Sequence, residues 1–298
     1  MRHLLRAARD TVKGVAQLRH LPRARAHVEY LAREVARLNA ATRRAAWRER
    51  RRTGLESQTK ASFDFQWEHM PKGAALPSDE AFMRQVDREL PDMVGVPAEW
   101  FAGRRVVDVG CGIGRYSRGL LQLGASVTAC DQSEAALGRT AALCAPLGDR
   151  LTLKRIDLLE WDDLADFDLA FSYGVVHHTG NTYLAMENVC RKVRPGGRVF
   201  FMIYAVPQTF PALEEVNLYE RLAADVRDLS FGERKAFVER RFGAEKAHGW
   251  FDAISPRIND RLTFEEIHDV LGQLGFQDIT GRVVLRNHYV TAERTLAR

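Results

Sequence analysis

The chain has 298 residues, of which 46% are hydrophobic, and a formal net charge of +5 at neutral pH. This length suits one large domain or two modest ones, and the apolar content is ordinary for a protein with a real core, which argues against overall disorder. No apolar run approaches the roughly 20 residues that a membrane-spanning helix needs. Four basic residues interrupt the N-terminus where a signal peptide would be apolar: Arg2, Arg6, Arg9 and Lys13.

The four cysteines are scattered and form no CxxC pair. Neither a disulfide framework nor a metal site is therefore predicted, and a reducing, cytoplasmic environment is expected.

Positive charge is concentrated at the N-terminus. Residues 1–60 hold sixteen Lys or Arg against five Asp or Glu, whereas the rest of the chain is mildly acidic. Apolar residues at helical spacing predict two amphipathic helices on either side of Pro22: Leu4, Leu5, Ala8, Val12 and Val15, then Val28, Leu31, Val35 and Leu38. We interpret residues 1–60 as a basic helical extension that packs on its own domain or pairs with a second copy. Peripheral binding to an anionic membrane and binding to nucleic acid are the alternatives.

The strongest signal lies between Arg104 and Asp131. An apolar run at 106–109 ends in the turn Gly110-Cys111-Gly112-Ile113-Gly114, apolar residues at helical spacing follow at 120–123, and a second apolar run occupies 127–129. This order predicts a strand, a glycine-rich turn, a helix and a strand, which is the start of a parallel βαβ unit. Amides at the start of that helix favour a negative group on a ligand. Asp131, 21 residues after Gly110, can accept hydrogen bonds from both hydroxyls of a ribose, so a nucleoside cofactor is predicted.

Glycine spacing alone also occurs in dinucleotide enzymes and in turns that bind nothing. Asp108 distinguishes the cases, because a carboxylate two residues before the first glycine would oppose a pyrophosphate and suits a sulfonium cofactor that carries an amino group. The sequence Val-Asp-Val-Gly-Cys-Gly-Ile-Gly, with the distal Asp131, resembles the first two motifs of class I S-adenosylmethionine-dependent methyltransferases.

The resemblance implies an α/β fold with a doubly wound, mostly parallel, seven-stranded Rossmann-like sheet and an antiparallel last strand. In this family the chain ends in a hairpin with an antiparallel edge strand. The resemblance also implies S-adenosyl-L-methionine as the cofactor. In this family an acidic residue after the third strand bonds the adenine amino group, and its neighbour lies against the ring. The cofactor-binding residues that it implies are Asp108, Gly110, Cys111, Gly112, Gly114, Asp131, Gln132, Asp157, Leu158 and Tyr173.

Strands and helices continue to alternate over residues 61–298, the predicted methyltransferase domain. The aromatic-rich segment at residues 62–73 is interpreted as an irregular linker into this domain. Within it, Phe65, Gln66 and Trp67 either cover the cofactor or pack the segment against the core. The other predicted helices are Asp79–Leu90, Ser133 to about Cys144, Tyr183–Val193, and one starting near Thr263. The other predicted strands are Leu151–Ile156, Phe167–Tyr173, Val199–Tyr204, Gln277–Leu285 and His288–Thr295.

Two histidines, His177 and His178, follow the predicted fourth strand in a Gly-Val-Val-His-His sequence that resembles the small-molecule branch of the family. Methyl transfer is a displacement in which alignment supplies on the order of 7 to 11 kcal/mol. A histidine that takes the proton of an acceptor hydroxyl adds about two to four orders of magnitude in rate. Both histidines are therefore candidate catalytic residues; the alternative is that the pair only orders its loop.

An insertion at about 206–260, with two possible helices and many aromatic residues, is expected to build the acceptor pocket, and His248 in it is the next candidate base. The predicted function is O-methylation of a glycan, a lipid-linked compound or another small acceptor. The alternatives are a nucleic-acid methyltransferase that uses the basic arm and a cofactor-binding scaffold without turnover.

Overall fold

The sheet is built from seven strands in the order β3-β2-β1-β4-β5-β7-β6. The protein is represented by a computed structural model that describes residues 22–32, 34, 53–70, 80–163 and 165–296. The strands are β1 (Arg105–Val109), β2 (Ser126–Asp131), β3 (Leu151–Arg155), β4 (Phe167–Tyr173), β5 (Val193–Tyr204), β6 (Phe276–Val284) and β7 (Asn287–Arg294).

The first five strands pair in parallel, and β7 is antiparallel to both β5 and β6. The predicted doubly wound sheet with an antiparallel last strand is confirmed. Within the C-terminal hairpin β7 lies between β5 and β6, so β6 forms the edge of the sheet. The short β6–β7 hairpin permits this arrangement, since β7 folds back beside β6 and pairs with β5 on its other side.

Helices cover both faces of the sheet. They are α1 (Thr53–His69), α2 (Glu80–Val94), α3 (Arg115–Gln122), α4 (Glu134–Cys144), α5 (Thr182–Arg191), α6 (Phe210–Asp225), α7 (Phe231–Phe242), α8 (Ala244–Ile254) and α9 (Phe264–Gln273). Adjacent strand residues serve opposite faces: Val106 packs into the layer with α2 and α3, and Val107 into the layer with α5 and α9. None of the helices in the described ranges is both long and apolar enough to cross a bilayer.

Helix ends are specified locally. The Ser133 hydroxyl accepts from the Ala136 amide at the start of α4, as predicted, and Thr263 and Glu266 form a reciprocal capping box at the start of α9.

Most of the segment predicted to be an irregular linker, residues 62–69, is helical instead, since α1 spans Thr53–His69; residues 71–73 of that segment lie outside the described ranges. Its buried face is polar: Thr59, Ser62 and Gln66 are each at most 2% exposed and hydrogen bond to residues 248–258. An apolar-periodicity analysis does not detect such a face, which explains the error. The domain boundary at residue 60 stays a prediction, and α1 runs across it.

The insertion contains three helices, α6 to α8, rather than two. Together with Met70 and Phe65 these helices enclose a separate apolar cluster around Phe251. Residues 22–32 form a helix, which agrees with the second predicted N-terminal helix, while residues 1–21 and 35–52 lie outside the described ranges.

Candidate functional site

The glycine-rich turn joins β1 to α3 through positive φ angles at all three glycines. A side chain at Gly110 would place its Cβ 2.3 Å from Val175, and one at Gly112 would come within 3.1 Å of the Trp67 ring. The Gly110 and Cys111 amides donate to the Cys130 carbonyl at 2.7 and 3.0 Å, which ties the turn to β2. The absence of side chains thus leaves backbone directly at the surface of the turn.

Asp131 lies at the tip of β2 and is oriented by the same turn. Its Oδ2 accepts from the Gly112 amide at 3.0 Å and its Oδ1 from the Ser133 amide at 2.9 Å. Burial raises the pKa of Asp131, and these amide hydrogen bonds act in the opposite direction. Because a carboxylate oxygen has more than one lone pair, both oxygens keep capacity to accept from a ligand hydroxyl.

A cavity of about 710 Å³ opens at the carboxyl edge of the parallel strands. The predicted site residues that line it are Gly110, Cys111, Gly112, Asp131, Gln132, Asp157, Leu158, Tyr173 and His178. The structure places the remaining three, Asp108, Gly114 and His177, behind the cavity wall. Most of the predicted residues therefore converge on one site, as expected where parallel strands end.

Asp108 supports the turn from below. It is 2% exposed and its Oδ2 accepts from the Ser117 hydroxyl at 2.6 Å, so it joins β1 to α3. Burial raises its pKa to about 7. Gly114 begins α3 with a φ of 83°, and a Cβ there would lie 2.9 Å from Thr140. Both residues shape the turn without lining the cavity.

Two further parts of the wall come from the strand tips. Asp157 accepts from the Leu159 amide at 2.9 Å, and the neighbouring Leu158 is buried. The Tyr173 hydroxyl lies 2.9 Å from the Tyr289 hydroxyl, and the guanidinium of Arg115 lies 5.2 Å from the Tyr173 ring centre.

The two histidines occupy different positions. His178 lines the cavity, and its Nδ1 lies 2.7 Å from the Ile258 carbonyl oxygen. Since a carbonyl only accepts, Nδ1 carries the proton and Nε2 of the neutral ring is an acceptor. Burial lowers the pKa of His178 to about 4. His177 is fully buried against Tyr204, and neither ring nitrogen has a hydrogen-bond partner among the residues that the structure describes.

Other residues of the wall were not identified from the sequence. Those from α1, α3, β5 and α8 are Glu56, Ser57, Lys60, Phe63, Arg115, Tyr116, Met202, Tyr204 and Asp252. Of the three proposed covering residues Trp67 lines the cavity, whereas Phe65 packs on Phe251 and Gln66 donates to the His248 carbonyl oxygen. His248, the alternative base, does line the cavity. The only sequence feature that pointed to these residues was the aromatic content of the segments that carry them.

No group of three or more His, Cys, Asp or Glu side chains suited to hold a metal ion occurs within the described ranges. A Rossmann-like sheet whose glycine turn and strand-tip carboxylate line one cavity defines a nucleoside-binding protein of the doubly wound class.

Residues 107–199 match the family model described as a methyltransferase domain. Over these residues the chain is similar to methyltransferase domains. Two curated proteins with similar sequence are both ubiquinone biosynthesis O-methyltransferases. The one from Dechloromonas aromatica is 35% identical over 101 residues, 33% of this chain and 44% of that protein. The one from Rhizobium leguminosarum bv. trifolii is 32% identical over 99 residues, 33% and 39% of the two chains. The chain thus matches less than half the length of these relatives.

A similar solved structure is the 1,6-didemethyltoxoflavin-N1-methyltransferase of Burkholderia thailandensis, with bound 1,6-didemethyltoxoflavin and S-adenosylhomocysteine. The TM-score is 0.50 at 19% identity, over 80% of this chain and 90% of that one. At 19% identity the comparison shows that the two proteins share a fold and nothing beyond it.

Proposed function

We propose that this protein is an S-adenosylmethionine-dependent methyltransferase that transfers the methyl group to an oxygen of a glycan, a lipid-linked compound or another small acceptor. The observation that carries the proposal is the shared cavity. The glycine turn and Asp131 line the part of the cavity that we call the cofactor half. His178 and helix α8 of the insertion line the part that we call the acceptor half. A donor and an acceptor can therefore meet inside one enclosed space.

The residues present fit the cofactor. Gly112 leaves room between the turn and Trp67, and Asp131 presents two oriented oxygens that would hold the ribose hydroxyls beside Gln132. Asp157 would accept from the adenine amino group, with Leu158 against the ring. Cys111, Gly110 and Tyr173 would hold the amino-acid end. When bound, S-adenosylmethionine supplies a methyl group on a positively charged sulfur, which is a good leaving group.

The acceptor half favours a hydroxyl nucleophile. His178 presents an unprotonated Nε2 at neutral pH, because its Nδ1 donates to Ile258 and its pKa is lowered to about 4. This nitrogen can accept a hydrogen bond from a donor group of the acceptor molecule and so orient that molecule in the cavity. His177 contributes by packing against Tyr204 rather than by contact with the acceptor. The names of the two O-methyltransferase relatives agree with oxygen as the attacked atom.

Calorimetry with S-adenosylmethionine tests the cofactor assignment. The substitution Asp131→Ala should weaken binding by about 1.5 to 3 kcal/mol, since hydrogen bonds to a charged acceptor are lost. Asp149→Ala, an exposed carboxylate outside the cavity, is the matched control and should bind normally. Unchanged affinity of the Asp131 variant, or binding of NADH in place of S-adenosylmethionine, would contradict the proposal.

Turnover is tested with labelled S-adenosylmethionine and a cell extract that is then separated into lipid, glycan, nucleic-acid and small-molecule fractions. Label in the glycan, lipid or small-molecule fraction is expected. Label confined to nucleic acid, or tight cofactor binding with no labelled fraction, would favour one of the two alternative functions.

The proposed role of the basic N-terminal extension is peripheral association, with an anionic membrane or with a second copy. The helix at residues 22–32 supports this role, because Tyr30 and Leu31 are 54% and 46% exposed beside basic residues.

A further inference from the structure

The Tyr204 hydroxyl at the end of β5 and the Asp252 carboxylate in α8 meet in the acceptor half of the cavity. Both line the cavity, and the Tyr204 hydroxyl lies 3.5 Å from Asp252 Oδ2, which makes a long hydrogen bond. The Tyr204 ring also contacts the histidine pair, with its centre 3.9 Å from that of His177 and 5.3 Å from that of His178. Tyr204 therefore connects the loop after β4 with the carboxylate of the insertion.

Charged groups face Asp252 from several elements. The Tyr204 hydroxyl donates to it from β5, and Arg115 in α3 and Arg286 between β6 and β7 supply positive charge that favours its ionised form. On its own helix, His248 lies one turn earlier and also lines the cavity. Burial outweighs these influences and raises the pKa of Asp252 to about 6.

The cavity wall thus contains three groups that can receive a proton at neutral pH: His178, His248 and Asp252. Burial lowers the pKa of His248 to about 4, so this side chain is as weak a base as His178. The lowered pKa of His178, about 4, makes its Nε2 a good hydrogen-bond acceptor but a weak base. Asp252 is also ionised at neutral pH, and its pKa lies closer to the working pH. General-base efficiency increases with the basicity of the group as long as it remains unprotonated, so the carboxylate is the better proton acceptor.

We propose that Asp252 is the catalytic base of this methyltransferase, with Tyr204 as the residue that positions it and His178 as a residue that orients the acceptor molecule through a donor group other than the reacting hydroxyl. The inference rests on the proposed function. In the step, Asp252 takes the hydroxyl proton and the acceptor oxygen forms a bond to the methyl carbon. The carbon–sulfur bond breaks with its electron pair going to sulfur, which leaves a methyl ether, a neutral thioether and a protonated Asp252 that returns its proton to solvent.

The first test measures rate against pH. The probe is labelled S-adenosylmethionine with the extract fraction that the wild-type protein labels. The wild-type rate should rise with pH through about 6. Asp252→Asn should abolish this rise and lower the rate at neutral pH about a hundredfold or more, while calorimetry shows nearly unchanged S-adenosylmethionine affinity. Asp225→Asn, an exposed carboxylate at the end of α6, should behave as wild type.

Two further variants separate positioning from catalysis. In Tyr204→Phe the carboxylate loses a hydrogen bond that lowers its pKa, so the rise in rate should move to higher pH while the rate at alkaline pH is retained. His178→Asn should lower the rate but keep the rise near pH 6, because it removes the orienting acceptor and leaves the base in place.

A second measurement needs no acceptor. The carboxyl carbon of labelled Asp252, assigned by its absence in Asp252→Asn, should titrate near pH 6 in nuclear magnetic resonance spectra and higher in Tyr204→Phe. Titration near the ordinary aspartate value of about 4 would overturn the inference. An unchanged pH profile in Asp252→Asn would also overturn it and leave the methyltransferase assignment standing. A wild-type protein that labels no fraction would overturn the proposed function, and the inference with it.

Discussion

At the scale of single residues, Gly112 and Trp67 set the width of the cofactor half. Gly112 has a φ of 54° and a Cβ added there would lie 3.1 Å from the Trp67 ring. The amide of the same residue donates to Asp131 at 3.0 Å. Gly112 therefore orients the Asp131 carboxylate through its amide and, because it has no side chain, lets the Trp67 ring pack against the turn.

Replacement of Gly112 by Ala should weaken S-adenosylmethionine binding about tenfold or more. The methyl group would press on Trp67 and strain the turn, which we expect to lower the free energy of unfolding by on the order of 1 kcal/mol. Calorimetry and urea unfolding measure the two effects.

The matched control is Gly138→Ala in α4, where nothing lies within 4 Å of an added Cβ. Alanine in this helical position should leave binding unchanged and raise stability slightly. Equal binding by both variants would show that Trp67 moves away without consequence.

At the scale of elements, α1 joins the cofactor half to the insertion. Its Thr59 hydroxyl accepts from the Ile258 and Arg257 amides at 3.1 and 3.2 Å, and its Ser62 hydroxyl lies 2.7 Å from the Ser255 hydroxyl. Five residues after Ser62, Trp67 extends from the same helix to the cavity. Polar contacts of α1 thus decide where an aromatic wall of the site lies.

The isosteric substitution Thr59→Val should lower the free energy of unfolding by about 1 to 3 kcal/mol, because it removes the acceptor of the buried Ile258 amide, whereas the Arg257 amide still donates to Gln58. It should also weaken S-adenosylmethionine binding, since α1 carries Trp67. Urea unfolding and calorimetry measure these changes. The control Thr152→Val changes an exposed residue of β3 and should have little effect on either quantity. A loss of stability without a loss of affinity would show that α1 holds its position through other contacts.

At the scale of the whole molecule, the N-terminal helix contacts the insertion. Glu29 accepts from the Phe210 amide at 2.8 Å, and the Arg25 guanidinium lies 5.2 Å from the Phe210 ring centre. This contact lies at the start of α6, away from the residues that line the cavity. The part of the extension that precedes α1 can therefore bind a surface without changing the cavity.

Deletion of residues 1–52 should leave S-adenosylmethionine affinity unchanged, but should either abolish sedimentation with anionic phosphatidylserine vesicles or alter the oligomeric state measured by ultracentrifugation. Basic residues near an anionic surface contribute about 1 kcal/mol each, so binding should weaken as salt increases. Neutral phosphatidylcholine vesicles are the control. If neither property changes, the extension is a solvated helical segment packed on its own domain.

The sequence alone predicted the glycine turn and the carboxylate at the tip of β2. Glycines 110, 112 and 114, the apolar strands on either side and Asp131 are close together in the chain, and their geometry follows from local backbone preferences and from the two-residue and 3.6-residue periods. The same reasoning located the αβ alternation and the capped start of α9.

Tertiary structure decided the acceptor half. Gln66 and the His248 carbonyl that it reaches are 182 positions apart, and Tyr204 and Asp252 are 48 apart. No local sequence pattern indicates such pairs. Burial in the folded protein raises the pKa of Asp252 to about 6 and lowers that of His178 to about 4, which reverses the order expected from residue type. The order of β6 and β7 in the sheet is likewise a property of the assembled sheet. Period-two alternation identifies the strands but does not say which of them pairs with β5.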